Sequence, residues 1–161
     1  MSPAHRPDAA RPPGGDRHPP GDADHPADGA RRLPDDVVDL LRGPNPCFVA
    51  TLMPDGSPQT TETWVDTDGE HVVINTVDGF QKVRNVSRDP RVTVVVCDPK
   101  RPTRYAEIRG DVIRMTSDGG AEHIDQLSHK YTGRPYQPYG DRPQSRMILT
   151  ISAEKTRLMG R

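Results

Sequence analysis

The sequence is short of hydrophobic residues, which make up only 32% of its 161 positions, low for a globular domain. The shortage is local. Residues 1–32 contain no Val, Ile, Leu, Phe, Trp, Tyr or Cys and consist chiefly of Pro, Gly, Asp, Arg, His and Ala. Such a segment cannot bury enough apolar surface to offset its ordering entropy, so it is expected to be a disordered tail ahead of a folded domain over residues 33–161. It holds no apolar stretch of the kind a secretory signal needs. No run of about 18 apolar residues occurs anywhere, so no membrane-spanning helix is expected. Charge of one sign is also missing. The formal net charge of −1 gives no global mark of a nucleic-acid or membrane-surface protein. The two cysteines, Cys47 and Cys97, stand far apart in apolar runs with no CxxC pair, and read as buried free thiols of a cytoplasmic protein. No GxGxxG occurs, and helices do not alternate with strands, which excludes a doubly wound fold. His5, His18 and His25 fall in the tail, and His123 and His129 lack the same-face spacing of a metal pair, so no metal site is expected. No Ser/His/Asp or Cys/His set has catalytic spacing, and no catalytic side chain is assigned.

What remains is a pattern of short strands and tight turns. Val37, Val38, Leu40 and Leu41 share one face of a short helix that Gly43-Pro44 ends. Residues 47–53 form an apolar strand, Pro54-Asp55-Gly56-Ser57 a hairpin turn, and residues 58–66 a Thr-rich second strand. Asp68-Gly69 turns into a third strand over 71–76. A helix of about two turns follows at 80–88, closed by Asp89-Pro90. A Val-rich strand then covers 91–97. In the next strand, 104–115, Tyr105, Glu107 and Arg109 alternate with Ala106, Ile108 and Gly110. Thr116-Ser117-Asp118 offers an N-cap for a helix to about residue 131, with Ala121, Ile124, Leu127 and Tyr131 at helical spacing. Residues 132–143 are loop, 145–153 a sixth strand, and 156–159 pair at its end. Six or so mostly antiparallel strands joined by Asp-Gly turns predict a mainly β fold, a closed or partly open β-barrel with helices.

The segment 75–85 is the most informative about chemistry. A strand ends in Asn75-Thr76, the chain turns at Gly79, and a helix begins with Lys82 in its first turn. Free N–H groups point outward from a helix start, and a cation there opposes the helix dipole unless an anion sits between them. Spacing alone leaves two readings: an exposed lysine on a polar face, or a phosphate site satisfied by N–H groups and ammonium together.

From residue 33 onward the chain resembles the pyridoxamine 5'-phosphate oxidase-like, FMN-binding split β-barrel family, and within it the flavin/deazaflavin oxidoreductase branch that uses coenzyme F420. The resemblance rests on four stretches in order: Ala50-Thr51-Leu52-Met53-Pro54-Asp55-Gly56-Ser57-Pro58-Gln59, Lys82-Val83-Arg84-Asn85-Val86-Ser87-Arg88-Asp89-Pro90-Arg91-Val92, Arg104-Tyr105-Ala106-Glu107-Ile108-Arg109-Gly110 and Tyr131-Thr132-Gly133-Arg134. It implies a homodimer with cofactor sites between subunits. Lys82 matches the phosphate-binding lysine, and Asn75 and Thr76 the strand end beside that phosphate. Gln59 and Thr61 match positions facing the isoalloxazine or deazaflavin ring. Arg104 and Tyr105 match a strand that reaches the cofactor, in some members from the partner subunit. Arg84 or Arg88 reads either as a solvated helix charge or as a contact for an anionic cofactor tail. One departure stands out. Pyridoxamine-phosphate oxidases proper carry an arginine immediately before the lysine, where this chain has Gln81. Some deazaflavin-binding relatives carry a basic residue two before it, where this chain has Phe80.

The resemblance therefore implies hydride transfer between a reduced deazaflavin, coenzyme F420, and a small electron-poor organic substrate, with the cofactor carrying the reactive centre. FMN is the alternative cofactor in an enzyme of the same fold. A reading of another class is a non-catalytic protein that binds a flavin, deazaflavin or tetrapyrrole. Trp64 reads as a core or interface residue or as a wall of the ring pocket. Tyr131, Tyr136 and Tyr139 read as loop packing or as the pocket mouth. Glu62 and Glu107 are strand carboxylates without an evident partner.

Overall fold

A computed structural model describes residues 32–140 and 143–160; the expected tail, apart from Arg32, lies outside the described residues. The order is α1 (Asp35–Arg42), β1 (Cys47–Leu52), β2 (Pro58–Thr63), β3 (Val65–Thr67), β4 (Val72–Val77), α2 (Gln81–Arg88), β5 (Arg91–Cys97), β6 (Tyr105–Thr116), α3 (Gly120–Thr132), β7 (Arg146–Ile151) and β8 (Lys155–Met159). In α1 the four apolar residues named above are all buried. Asp35 and Asp36 stand in its first turn and Arg42 in its last, each charge complementing the helix dipole. The β1–β2 hairpin turns at Gly56, at φ 83°, where Asp55 accepts from both the amide and the hydroxyl of Ser57.

All neighbouring strands pair antiparallel, in the order β2-β1-β5-β6-β7-β4-β3, with β8 added to β6. The two ends of that path, β2 and β3, are joined through the single residue Trp64. The sheet therefore closes on itself as a split β-barrel. The expected strand at 58–66 is interrupted because the chain changes partner there: β2 pairs with β1 and β3 with β4. The expected strand at 145–153 is likewise shared. β7 pairs with the far half of β6 and β8 with its near half, and β6 shifts register between Val112 and Arg114. Gly110 sits at this bend. A Cβ there would lie 1.8 Å from the Ser152 carbonyl oxygen, so only glycine lets the two chain runs approach.

The alternation read in β6 holds, with Ala106, Ile108 and Gly110 buried. Ala106 and Ile108 join Val49, Val94, Val96, Ile74, Leu149 and Ile151 in one core that α1 covers with Val37, Leu40 and Leu41. The opposite face of β1, β5, β6 and β8 carries Phe48, 38% exposed, and Met159, 47% exposed, with Val95 beside Phe48 and Tyr105 beside Met159. The N-cap expected for α3 at 116–118 is replaced. The strand runs on through Thr116, whose hydroxyl accepts from the Asp118 amide, and Gly119 at φ 73° starts the helix with no side-chain cap. Ala121, expected on the packed face, is exposed, while Ile124 and Leu127 are buried.

Candidate functional site

Strand β4 ends in Asn75-Thr76-Val77, and a turn at Gly79, φ 79°, leads into α2. The Phe80 amide donates to Val77 O across that turn. Phe80 is the N-cap residue, makes no side-chain cap, and no acidic residue stands in the first turn. Amides at the start of α2 are thus left without a capping side chain. Lys82 is turned inward beside them and is 8% exposed. Its Nζ lies 3.5 Å from Thr76 Oγ1 and 5.6 Å from the centre of the Phe80 ring. Among the described residues no carboxylate pairs with it. Burial draws its pKa below the usual lysine value. A buried, unpaired ammonium against the positive end of a helix is costly, and an anion placed between them would remove both penalties.

Lys82 lines a cavity of about 500 Å³. Asn75, Thr76, Val77 and Phe80 form its floor beside Lys82; Glu62, Thr63 and Trp64 enter from the β2–β3 junction; Ile124 comes from α3; and Tyr136, Gln137, Tyr139 and Arg146 close the other side. Asn75 is held from behind. Its Nδ2 donates to Gly120 O at 2.9 Å and lies 3.3 Å from His123 Nδ1, while its Oδ1 is buried without a partner. Burial also lowers the His123 pKa, which favours the neutral imidazole as a neighbour for that amide. Trp64 stacks on Tyr131 with ring centres 5.3 Å apart and planes at 10°. The Tyr131 hydroxyl donates to Asn45 O and accepts from the Val65 amide, so Tyr131 braces the strand break from behind, and Trp64 is a cavity wall.

Of the residues expected at a cofactor, the fold brings Asn75, Thr76 and Lys82 together. Gln59 and Thr61 lie on one face of β2 but are not among the cavity-lining residues. Gln59 Oε1 accepts from Asn85 Nδ2, which also donates to Thr51 Oγ1, and Thr61 Oγ1 is buried without a partner. Arg84 is exposed and folds back on Gly79 O and Gln81 Oε1. Arg88 donates to Leu52 O. Arg104 lies in another cleft between Asp36 and Asp98, 3.6 Å from each. Tyr105 is on the outer sheet face opposite Cys97 and Met159. Within one chain, then, Arg104 and Tyr105 are not placed beside Lys82.

Arg146 was not singled out in the sequence. It heads β7 directly opposite Val77 of β4, and its guanidinium carbon lies 4.6 Å from the centre of the Tyr136 ring and 5.9 Å from that of Tyr139. Its Nη2 donates to the Tyr136 hydroxyl and to Gln144 Oε1, and its Nε is buried without a partner. The cavity thus holds two cations with no carboxylate paired to either among the described residues, between aromatic walls. That arrangement suits a planar, anionic ligand. A second cleft of about 440 Å³ on the outer sheet face carries Arg91, Arg109 and Lys155 against Asp111 and Glu154; its charges are mixed. No helix among the described residues is long and apolar enough to cross a membrane.

The family model for pyridoxamine 5'-phosphate oxidase matches residues 33–160. A solved structure named F420 reductase is 31% identical, with a TM-score of 0.68, over 78% of this chain and 98% of that one. A conserved hypothetical protein of Mycobacterium tuberculosis is 22% identical, with a TM-score of 0.59, over 78% of this chain and 82% of that one. The General Stress Protein 26 of Bacillus anthracis is 13% identical, with a TM-score of 0.57, over 78% and 92%; these last two speak for the fold alone. Comparison with curated protein sequences gives no match.

Proposed function

The chain belongs to the pyridoxamine 5'-phosphate oxidase family of split barrels, and from that premise we propose that it is a coenzyme F420-dependent oxidoreductase acting on a small electron-poor organic substrate. The observation that carries this reading is Lys82, buried and without an acidic partner at the uncapped start of α2, in one cavity with Asn75 and Thr76. These residues fit a cofactor phosphate: the ammonium and the uncapped start of α2 would bind the same anion. The 31% identity to an F420 reductase favours the deazaflavin within the family.

Charge favours it as well. FMN ends in a phosphate monoester with close to two negative charges near neutral pH, whereas the deazaflavin coenzyme has a phosphodiester with one. At the start of α2 the cationic side chain turned inward is Lys82. Gln81 and Phe80 flank it, and Arg84 is turned back on its own helix. One ammonium and a few amides match a single charge better than two. When bound, the reduced deazaflavin supplies a hydride. The chain's own residues would hold its phosphate at Lys82 and Thr76, exclude water with Trp64 and Phe80, and fix its orientation by packing. We extend the reading to a homodimer in which Arg104 and Tyr105 act from the partner subunit, since neither lies beside Lys82 in its own chain. In the same reading Gln59 and Thr61 face the ring from β2, and Arg84, released from its own helix, meets the anionic tail.

Titration decides between cofactors. Trp64 is the single tryptophan of the chain and lines the cavity, so its fluorescence reports binding directly. The expected result is quenching by coenzyme F420 at lower concentration than by FMN. FMN binding tenfold tighter, or a yellow FMN complex that survives purification, would overturn the deazaflavin reading.

A further inference from the structure

We propose that Arg146 is the carboxylate-recognising residue of a substrate subsite, and that the substrate is a planar aromatic or conjugated acid. The inference rests on the reading above in one respect: the cofactor's phosphate takes Lys82, which leaves Arg146 as a second cation in the same cavity. Several observations support it. Arg146 lines the cavity with no carboxylate partner among the described residues. Of its five N–H donors, those on Nη2 serve Tyr136 and Gln144, and Nε is unmatched. Nη1 makes no hydrogen bond to a described residue and is left for a ligand oxygen.

The guanidinium is also held in place before any ligand arrives. The Tyr136 hydroxyl donates to Gln144 Oε1 at 2.9 Å, and Gln144 Nε2 donates to Tyr139 O at 2.6 Å. The Tyr136 amide donates in turn to Asp125 Oδ1 on α3 at 2.8 Å. Arg146, Gln144, Tyr136 and Tyr139 therefore form one connected unit anchored to a helix. A guanidinium fixed in this way loses little side-chain freedom on binding, and its free Nη1 can donate a charge-assisted hydrogen bond to one carboxylate oxygen. Trp64 and Phe80 supply flat apolar surface in the same cavity, which suits a conjugated ring system attached to that carboxylate. A single guanidinium with one free nitrogen suits a monoanionic carboxylate better than a phosphate dianion.

The test uses the full chain, calorimetry, and two probes of equal shape: 2-naphthoate and its uncharged amide, 2-naphthamide. The acid is expected to bind the wild-type protein at least about tenfold tighter than the amide, the factor a charge-assisted contact gives. Arg146→Gln should erase that preference, Arg146→Lys should recover only part of it, and Lys82→Gln should leave it standing. Coenzyme F420 affinity, read from Trp64 quenching, should stay within about twofold in Arg146→Gln. Equal binding of acid and amide by the wild type, a measurement that needs no variant to fold, would overturn the proposal. So would a preference that survives Arg146→Gln but disappears in Lys82→Gln. A tenfold loss of coenzyme affinity in Arg146→Gln would assign the residue to the cofactor's tail carboxylates and overturn the substrate reading too. If the acid is preferred through Arg146 while neither F420 nor FMN binds, the subsite stands and the cofactor reading fails.

Discussion

Replacing Lys82 by methionine should move ligand binding and stability in opposite directions. Methionine keeps most of the buried aliphatic stem and removes the ammonium. The affinity for coenzyme F420 should fall by about 1.5–3 kcal/mol, the worth of a hydrogen bond to a charged group, which is roughly a 10- to 150-fold rise in Kd. The cofactor-free protein should become more stable. Lys82 is 8% exposed, its one hydrogen-bond partner among the described residues is Thr76 Oγ1 at 3.5 Å, and it sits at the positive end of α2. Replacing an uncompensated buried charge by an apolar side chain of similar length should gain about 0.5–2 kcal/mol, the size of a typical stabilising substitution, a few degrees in Tm for a domain of this size. The pH dependence carries the same sign. Burial holds the folded-state pKa of Lys82 below 10.5, so between the folded and unfolded values the unfolded chain binds more protons. Stability therefore rises with pH through that window in the wild type, and the penalty is present in full below it. The advantage of Lys82→Met should accordingly be largest at neutral pH and shrink as pH climbs toward 10.5. Trp64 quenching measures the affinity, and thermal melts of the cofactor-free proteins across pH measure the stability. Unchanged cofactor affinity would make Lys82 a mere cavity wall. A lower Tm for the methionine variant would refute the claim that its charge is uncompensated.

Four further outcomes follow from other parts of the molecule. Light scattering should give a dimer, and Phe48→Asp on the outer sheet face, where Phe48 is 38% exposed beside Val95, should give a monomer that binds cofactor poorly; a monomer with full affinity would refute the shared site. Gly110→Ala should cost about 3 kcal/mol in denaturant unfolding, the upper end for overpacking, because the new methyl meets the Ser152 backbone oxygen at 1.8 Å and no rotamer relieves it. Cys47, whose thiol burial pushes up to about 12, should stay unreactive toward a disulfide reagent at pH 8 in the native state and react once the protein is denatured. Deleting residues 1–32, which hold no large apolar side chain apart from Met1, should leave Tm within about 2 °C, whereas a fall of roughly 1 kcal/mol or more would mean that the segment packs on the barrel.

The fold was legible in the sequence because its signals are local. Asp-Gly turns, the Val-rich run at 91–97 and the alternation of Ala106 and Ile108 with Tyr105 and Glu107 each state a strand and its buried face within a few residues. The strand breaks were not legible. Trp64 and the 152–154 link are ordinary sequence; what interrupts pairing there is a change of partner strand, a fact about closure that no window of a few residues contains. The same limit explains the site. Asn75, Thr76 and Lys82 are neighbours in sequence, so one strand-turn-helix signal exposed all three. Arg146 is remote from them, and it meets the cavity only because β7 pairs with β4 in a register that sets it opposite Val77. Its one local hint was the tyrosine-rich loop ahead of it. Arg104 and Tyr105 show the converse. Their motif was clear in sequence, yet their own chain places Arg104 between two aspartates and Tyr105 on the outer sheet face. For them to serve the cavity at Lys82, a second copy must bring that face to it. Loss of cofactor affinity on breaking the dimer with Phe48→Asp, in a monomer that remains folded, is therefore what their assignment requires.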